Sequence, residues 1–166
     1  NRYFFLDEPK RMIVKDVKGD YTASIPLHPD HPKRGRRILK VKNRNGQAYL
    51  LISSRDFNSL RTGSLIRLME LFNVKVTSKK ESLILAEFHS ESYEEARRLN
   101  LSLIHWLPEG EGTRCEVIMP DGSVVKGQVE KNLRQASADQ IVQFERFGFV
   151  RIDQMGEEIR VFFAHK

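Results

Sequence analysis

The chain has one cysteine, Cys115, in 166 residues, so no disulfide closes within it and a reducing compartment suits it. No apolar run approaches the ~20 residues of a membrane helix, and no signal peptide opens the sequence. A cytoplasmic setting without a membrane partner is the expectation. Neither a G-x-x-x-x-G-K-[ST] loop nor a G-x-G-x-x-G turn occurs, so nucleotide hydrolysis and hydride transfer have no visible basis. Five scattered histidines and one cysteine fall short of a closed zinc site, although His28 and His31 share HPDHP with Asp30. Cys115 in RCEVIM suits a buried strand position, and His105 in LIHWLP suits a core histidine. No catalytic residue, metal or cofactor is therefore expected within these residues.

Charge is present in quantity, at 30% of residues beside 40% hydrophobic, a globular composition able to bury a core. The net charge of +6 hides an asymmetry. Residues 1–80 carry 18 Lys and Arg against 7 Asp and Glu, whereas residues 81–166 carry 10 against 15. The stretch KRGRRILKVKNR (33–44) holds Lys33, Arg34, Arg36, Arg37, Lys40, Lys42 and Arg44 and no acid. A basic half of this kind points to a polyanionic partner, nucleic acid first, bound in a salt-dependent way.

Most of the chain has the pattern of short strands: RMIVKDV, RRILKVKN, QAYLLIS, SLIRLMELFNVKVT, SLILAEF, LSLIHWL, RCEVIMP, SVVKGQVE, IVQFERF, FVRI and IRVFFAH. Turn signals separate them at Asn45-Gly46, at Pro120-Asp121-Gly122 and in EGEG (109–112). One helix is predicted over 91–100, with Ser90 or Ser92 as cap, acids in its first turn and Arg97 and Arg98 near its end. IPLHPDHPKRGRR (25–37) has the character of an exposed loop, and no tandem repeat stands out. The spacing predicts an all-β barrel or sandwich.

The stretch IVQFERFGFVRID (141–153) carries residue types suited to single-stranded RNA. Gln143 offers a donor and an acceptor, and Arg146 a planar donor fork. Its apolar phase runs on even numbers at Val142 and Phe144 and on odd ones at Phe147 and Phe149. A bend or bulge between Glu145 and Gly148 is expected, turning Gln143 and Arg146 toward one pocket and Phe147 and Phe149 to the core.

Taken together, NRYFFLDEPKRMIV, IPLHPDHPKRGRR, LIHWLP and VQFERFGFVRID resemble the C-terminal anticodon-binding region of glutaminyl-tRNA synthetases and, more closely, archaeal-type glutamyl-tRNA synthetases. SLIRLMELFNV and the FFAH end strengthen the archaeal-type likeness, which covers nearly the whole chain. NRYFF opens without an initiator Met, and the chain is expected to be cut from a longer protein.

The resemblance implies an all-β fold of two six-stranded β-barrels, proximal and distal to a catalytic body, with exchanged strands and one short helix, of a type also found in a ribosomal protein. Boundaries expected from it are 1–37 with 113–166 for the proximal barrel and 38–112 for the distal one. It implies that Gln143 and Arg146 contact the middle anticodon uridine, that Arg2 helps there, and that Arg67 contributes a further anticodon contact. Glu145 would orient neighbouring arginines, and Lys33, Arg34, Arg36 and Arg37 would hold the RNA backbone, since phosphate contacts position and base contacts specify.

By the same resemblance, ATP and Mg²⁺ act in a catalytic domain absent from these residues, which also partners them. The RNA is tRNA(Glu), with tRNA(Gln) left open as a second substrate. One departure bears on that question: Met69 stands where glutaminyl enzymes tend to carry a second Arg, and Met donates no hydrogen bond. A glutaminyl-tRNA synthetase, a stand-alone β-barrel RNA-binding protein of ribosomal type, and a protein-interaction module using the acidic half are the alternatives.

Overall fold

A computed structural model describes residues 1–166, of which 52% lie in strands and 12% in helices. The first half runs β1 (Arg2–Tyr3), β2 (Phe5–Asp7), β3 (Lys10–Lys15), β4 (Tyr21–Pro26), β5 (Arg36–Val41), β6 (Ala48–Ile52), α1 (Ser54–Ser59), β7 (Leu65–Leu68), β8 (Asn73–Lys79) and β9 (Leu83–Ser90). The second runs α2 (Tyr93–Arg98), β10 (Ser102–Ile104), β11 (Leu107–Pro108), β12 (Gly112–Ile118), β13 (Val124–Glu130), β14 (Ile141–Phe144), β15 (Gly148–Met155) and β16 (Ile159–His165).

Two curled seven-stranded sheets result, ordered β1-β14-β15-β16-β12-β13-β2 and β10-β7-β8-β9-β3-β6-β11. The two edges of each sheet belong to a single run of chain. In the first, β1 pairs parallel with β14 and β2 antiparallel with β13, so residues 2–7 close a six-stranded barrel. In the second, β10 pairs parallel with β7 and β11 antiparallel with β6, so residues 102–108 do the same. Going round either barrel, parallel and antiparallel pairs follow in the same order. The sequence shows no tandem repeat, yet its pairing pattern repeats. Each closing run lies in the chain just before the strands of the other barrel, so the two runs are exchanged.

Alternation along an extended strand explains why residues 2–7 can serve as a shared wall. Tyr3 and Phe5 enter a core with Cys115, Val117, Val129, Val142, Phe144 and Val150. Phe4 and Leu6 point the other way, into a larger core with Met12, Leu50, Phe72 and Trp106. Where this run crosses β13, a Cβ on Gly127 would collide with the Leu6 carbonyl, so only glycine permits the approach. Trp106 is fully buried, and its indole N–H donates to the Met69 carbonyl at 2.9 Å. Burial pushes the Cys115 thiol up to about 12, and Glu116 adds to the effect.

β4 and β5 form a separate hairpin around the 27–35 loop, with Ala23, Ile25, Leu39 and Val41 in the larger core. Residues 12–25 thus pack with the second sheet, through Met12, Val14, Val17, Ala23 and Ile25, whereas Leu27 packs against the smaller core. The predicted helix is α2, capped by Ser92, whose Oγ accepts from the Glu95 amide at 3.1 Å. A second helix, α1, went unforeseen; Ser53 caps it by accepting from the Asp56 amide at 3.2 Å. No helix is long and apolar enough to cross a membrane.

SLIRLMELFNVKVT, expected as one strand, is a hairpin that reverses after Leu68, with Glu70 at φ +59°. IVQFERFGFVRID reverses in the same way. β14 ends at Phe144, the Phe147 amide donates to the Phe144 carbonyl at 3.0 Å, and Arg146 sits at φ +63°. The expected bend within one strand is therefore a hairpin turn. Its partners Phe144 and Gly148 keep the even-numbered phase, so Val142, Phe144, Val150 and Ile152 all face inward. Phe147 packs on Phe5 and Phe163 from the turn, whereas Phe149 lies on the outer face beside His165.

Candidate nucleic-acid interface

Arg2 and Gln143 are register partners on the parallel strands β1 and β14. Their neighbours Tyr3 and Phe144 fill the core, so both polar side chains emerge together on the outer face. Both are half-buried. The Arg2 Nε is enclosed and has no hydrogen-bond partner, the one buried side-chain nitrogen or oxygen in the chain left this way. An orphaned donor costs free energy of about 1–3 kcal/mol.

The loop 27–35 lies against the free edge of β1, where the Arg2 amide donates to the Leu27 carbonyl at 2.8 Å. Lys33 and Arg34 stand exposed on its short 3₁₀ turn, and Arg34 Nη1 donates to Asn1 Oδ1 at 3.5 Å. Asn1 and Arg34 line an open hollow of about 400 Å³ with Gln140, Ile141 and Val142. The His28 and His31 rings lie 4.5 Å apart here. Desolvation first, then the charges of His31, Arg34 and Arg2, hold the His28 ring below its ordinary value. Arg36 is exposed and braced on Ser24, donating from Nε to Oγ and from Nη2 to the carbonyl, each at 2.7 Å.

Arg37, expected on the RNA backbone, is 1% exposed and points inward. Its Nε donates to Glu130 Oε2 at 3.0 Å, Nη1 to the Pro26 carbonyl at 2.7 Å and Nη2 to Glu145 Oε1 at 3.2 Å. The guanidinium also lies 4.9 Å over the Phe4 ring. A buried charge needs such partners, and having found them the group cannot reach a phosphate. Glu130 further accepts from the Phe4 amide at 2.6 Å. Burial pushes its carboxyl up, with Arg37 and that amide pulling against the rise.

Arg146 and Gln143 do not converge on one pocket in the chain alone. From the turn, Arg146 reaches the other barrel, where Nη1 and Nη2 donate to Asp56 Oδ2 and Oδ1, both at 2.8 Å. Nη1 also donates to His105 Nδ1 at 3.1 Å. His105 Nε2 lies 2.8 Å from the Phe5 carbonyl, an acceptor only, so the proton sits on Nε2 and the ring is neutral. Burial, then the Arg146 charge, lowers the His105 pKa to about 4. Burial alone would raise the Asp56 carboxyl, but Arg146 outweighs it and the group lies below its ordinary value. Arg146 keeps 38% side-chain exposure. Its Nε–H and the outer Nη2–H remain as a two-donor edge.

Arg67 is 7% exposed and internally bound, with Nη1 donating to Asn73 Oδ1 at 3.1 Å and to the Glu91 carbonyl at 3.0 Å. It lies 5.5 Å from the centre of the half-exposed Tyr93 ring. Met69 packs against the larger core.

A family model for the anticodon-binding domain of class I tRNA synthetases (E and Q) matches residues 1–91, and a second of the same description matches residues 103–153. The chain belongs to this family. The two matches part between β9 and β10, where the pairing pattern begins again. The chain is similar to the glutamate–tRNA ligase of Pyrococcus furiosus, at 44% identity over all of the chain and 28% of the relative. Similarity to the Pyrococcus abyssi glutamate–tRNA ligase is 46% over the same shares. For Methanopyrus kandleri the figures are 35% over 99% of the chain and 29% of the relative. The chain thus spans just over a quarter of the length of these relatives.

In this anticodon-binding domain, Asp56, Glu130 and Asn73 are the polar residues that pattern reasoning missed, whereas His105 is the core histidine expected. All three are buried, and Asp56 and Glu130 lie 90 and 93 residues from Arg146 and Arg37, the arginines they hold. Only the Ser53-x-x-Asp56 spacing at the start of α1 hints at one of them.

Proposed function

We propose that this anticodon-binding domain is the tRNA-reading module of a glutamate–tRNA ligase, selecting tRNA(Glu) by its anticodon in the cytoplasm. The names of the relatives support the assignment, and the orphaned Arg2 donor beside Gln143 carries the site. Arg2 and Gln143 contact the middle anticodon uridine, and the free edge of Arg146 approaches from the turn. Lys33, Arg34 and Arg36 hold phosphates, Glu145 orients Arg37, and Arg67 supports the reading of another anticodon base. The barrel closed by residues 2–7 is the one proximal to the catalytic body, and the barrel closed by residues 102–108 the distal one.

The whole ligase joins glutamate to tRNA with ATP and Mg²⁺, in a catalytic domain of the same chain. Among the residues of this chain, no group of three His, Cys, Asp or Glu is disposed to hold a metal ion. With Met69 offering no donor, the last anticodon base is read loosely and tRNA(Gln) is a second substrate; failure of the whole ligase to charge a tRNA(Gln) transcript would overturn this part.

Binding of the 166-residue chain to anticodon stem-loops varied at the middle base tests the site. Arg2→Ala and Gln143→Ala should each reduce preference for uridine by about 5- to 150-fold, the range of good bidentate base contacts. Equal weakening toward all four bases would refute base reading by these residues.

A further inference from the structure

The row that begins with Arg2 and Gln143 does not end there. Gln143 on β14 is the register partner of Phe149 on β15, and Phe149 is the partner of His165 on β16. Strands lie about 4.8 Å apart, so the four side chains form a continuous strip on the outer face of one barrel. A register shift between Phe149 and Val150 matters here: Val150 pairs with Phe163, so Ala164 is the extra residue on β16. Without that bulge Ala164 would stand beside Phe149; with it, His165 does. The two rings stack, with centroids 4.5 Å apart and planes at 22°. Phe149 is half-buried and His165 exposed, outside the core that Val150 and Ile152 enter.

We propose that Phe149 and His165 form a stacking platform for an RNA base, that of a nucleotide adjoining the one contacted by Arg2 and Gln143. The proposal rests on the anticodon reading above. Recognition of single-stranded RNA combines base-edge donors and acceptors with aromatic faces on which neighbouring bases stack. Here the two parts share one strip, the unpaired Arg2 donor at one end and a pair of rings at the other. Arg34 and Lys33 flank the Arg2 end with positive charge, as a phosphate chain entering there requires. The stacking face is indifferent to base identity, so the platform supplies affinity and register and leaves selection to Arg2 and Gln143.

The test uses the 166-residue chain and stem-loops carrying 2-aminopurine at each base flanking the middle anticodon position. One of the two flanking probes should be quenched on binding. His165→Ala, at an exposed position, and Phe149→Leu, which keeps the bulk, should abolish that quenching and weaken binding about tenfold, within the range of base–aromatic stacking. Phe149→Tyr should behave as the native chain. An abasic nucleotide at the quenched position should weaken the native chain by the same factor and leave His165→Ala unaffected. Preference for the middle base should survive in both variants, which separates this site from the base readers. Unchanged quenching and affinity in His165→Ala and Phe149→Leu would overturn the platform while leaving the anticodon reading intact. Absence of any middle-base preference in the native chain would overturn that reading instead, and the platform with it.

Discussion

Arg146 and Asp56, 90 residues apart in the chain, form a two-point ion pair that joins the hairpin turn of one barrel to the helix of the other. With His105 accepting from the same guanidinium and donating to Phe5, the contact ties the turn to both closing runs. The arginine of this turn is thus a structural clamp. Its orientation is set before any ligand arrives, and only its Nε–H edge is free.

Asp56→Ala should lower unfolding free energy by about 2 kcal/mol, less than a fully buried pair because Arg146 is partly exposed. Asp56→Asn, which keeps one acceptor, should lose less. Urea denaturation measures both, and an Ala variant as stable as the native chain would remove the clamp.

Arg36 and Arg37 are neighbours that face opposite ways, so their removal should separate two properties. Arg37→Ala leaves Glu130 buried without its charge partner and should cost about 3–5 kcal/mol of stability. Arg36→Ala should leave stability within about 0.5 kcal/mol, weaken all RNAs alike and flatten the salt dependence of binding. Melting curves and salt titrations of the pair suffice to check this.

The pH dependence follows from His105. Its folded pKa of about 4 lies below the ordinary 6.5, so between those values the unfolded chain binds a proton that the folded chain refuses. Stability should therefore fall as pH drops from 6.5 toward 4, by about 3 kcal/mol in all. Asp56, also lowered, adds its own loss only at still lower pH. Denaturation across this range should show the slope, and His105→Gln should remove most of it.

Much of the fold was legible because one-sided strands alternate visibly: Val142 and Phe144 declared β14, and Ser92 with Glu94 and Glu95 declared α2. The hairpin turns were not, because Leu68-Met69-Glu70-Leu71 and Glu145-Arg146-Phe147 reverse the chain without Gly or Pro at their centres, using a non-glycine residue at positive φ. The helix α1 is as short as α2 but has no basic residue in its last turn, so it lacks the acid-first, base-last order that marked α2. At the candidate site, Arg2 and Gln143 were nameable from motif likeness, whereas Arg37 looked like its basic neighbours. Its inward turn depends on Glu130, 93 residues away, and no local pattern encodes that distance.

Gly148→Ala should be costly for two reasons. The residue sits at φ +151°, and a Cβ would lie 2.6 Å from the Phe163 ring and 3.0 Å from the His165 carbonyl. A loss of about 2–4 kcal/mol is expected, with weaker RNA binding as the hairpin and β16 move apart. A thermal melt unchanged from the native chain would contradict it.

The exchanged closing runs set an order of assembly. The strands that complete the second barrel are all in place once residue 108 has left the ribosome, whereas residues 2–7 wait for β13 and β14, with Phe4 and Glu130 separated by 126 positions. Arg2 gains its neighbour Gln143 only when the final hairpin docks. A nascent or truncated chain lacking that hairpin therefore lacks the face on which Arg2 and Gln143 stand side by side, whatever else it has folded. That face is a property of the finished molecule alone.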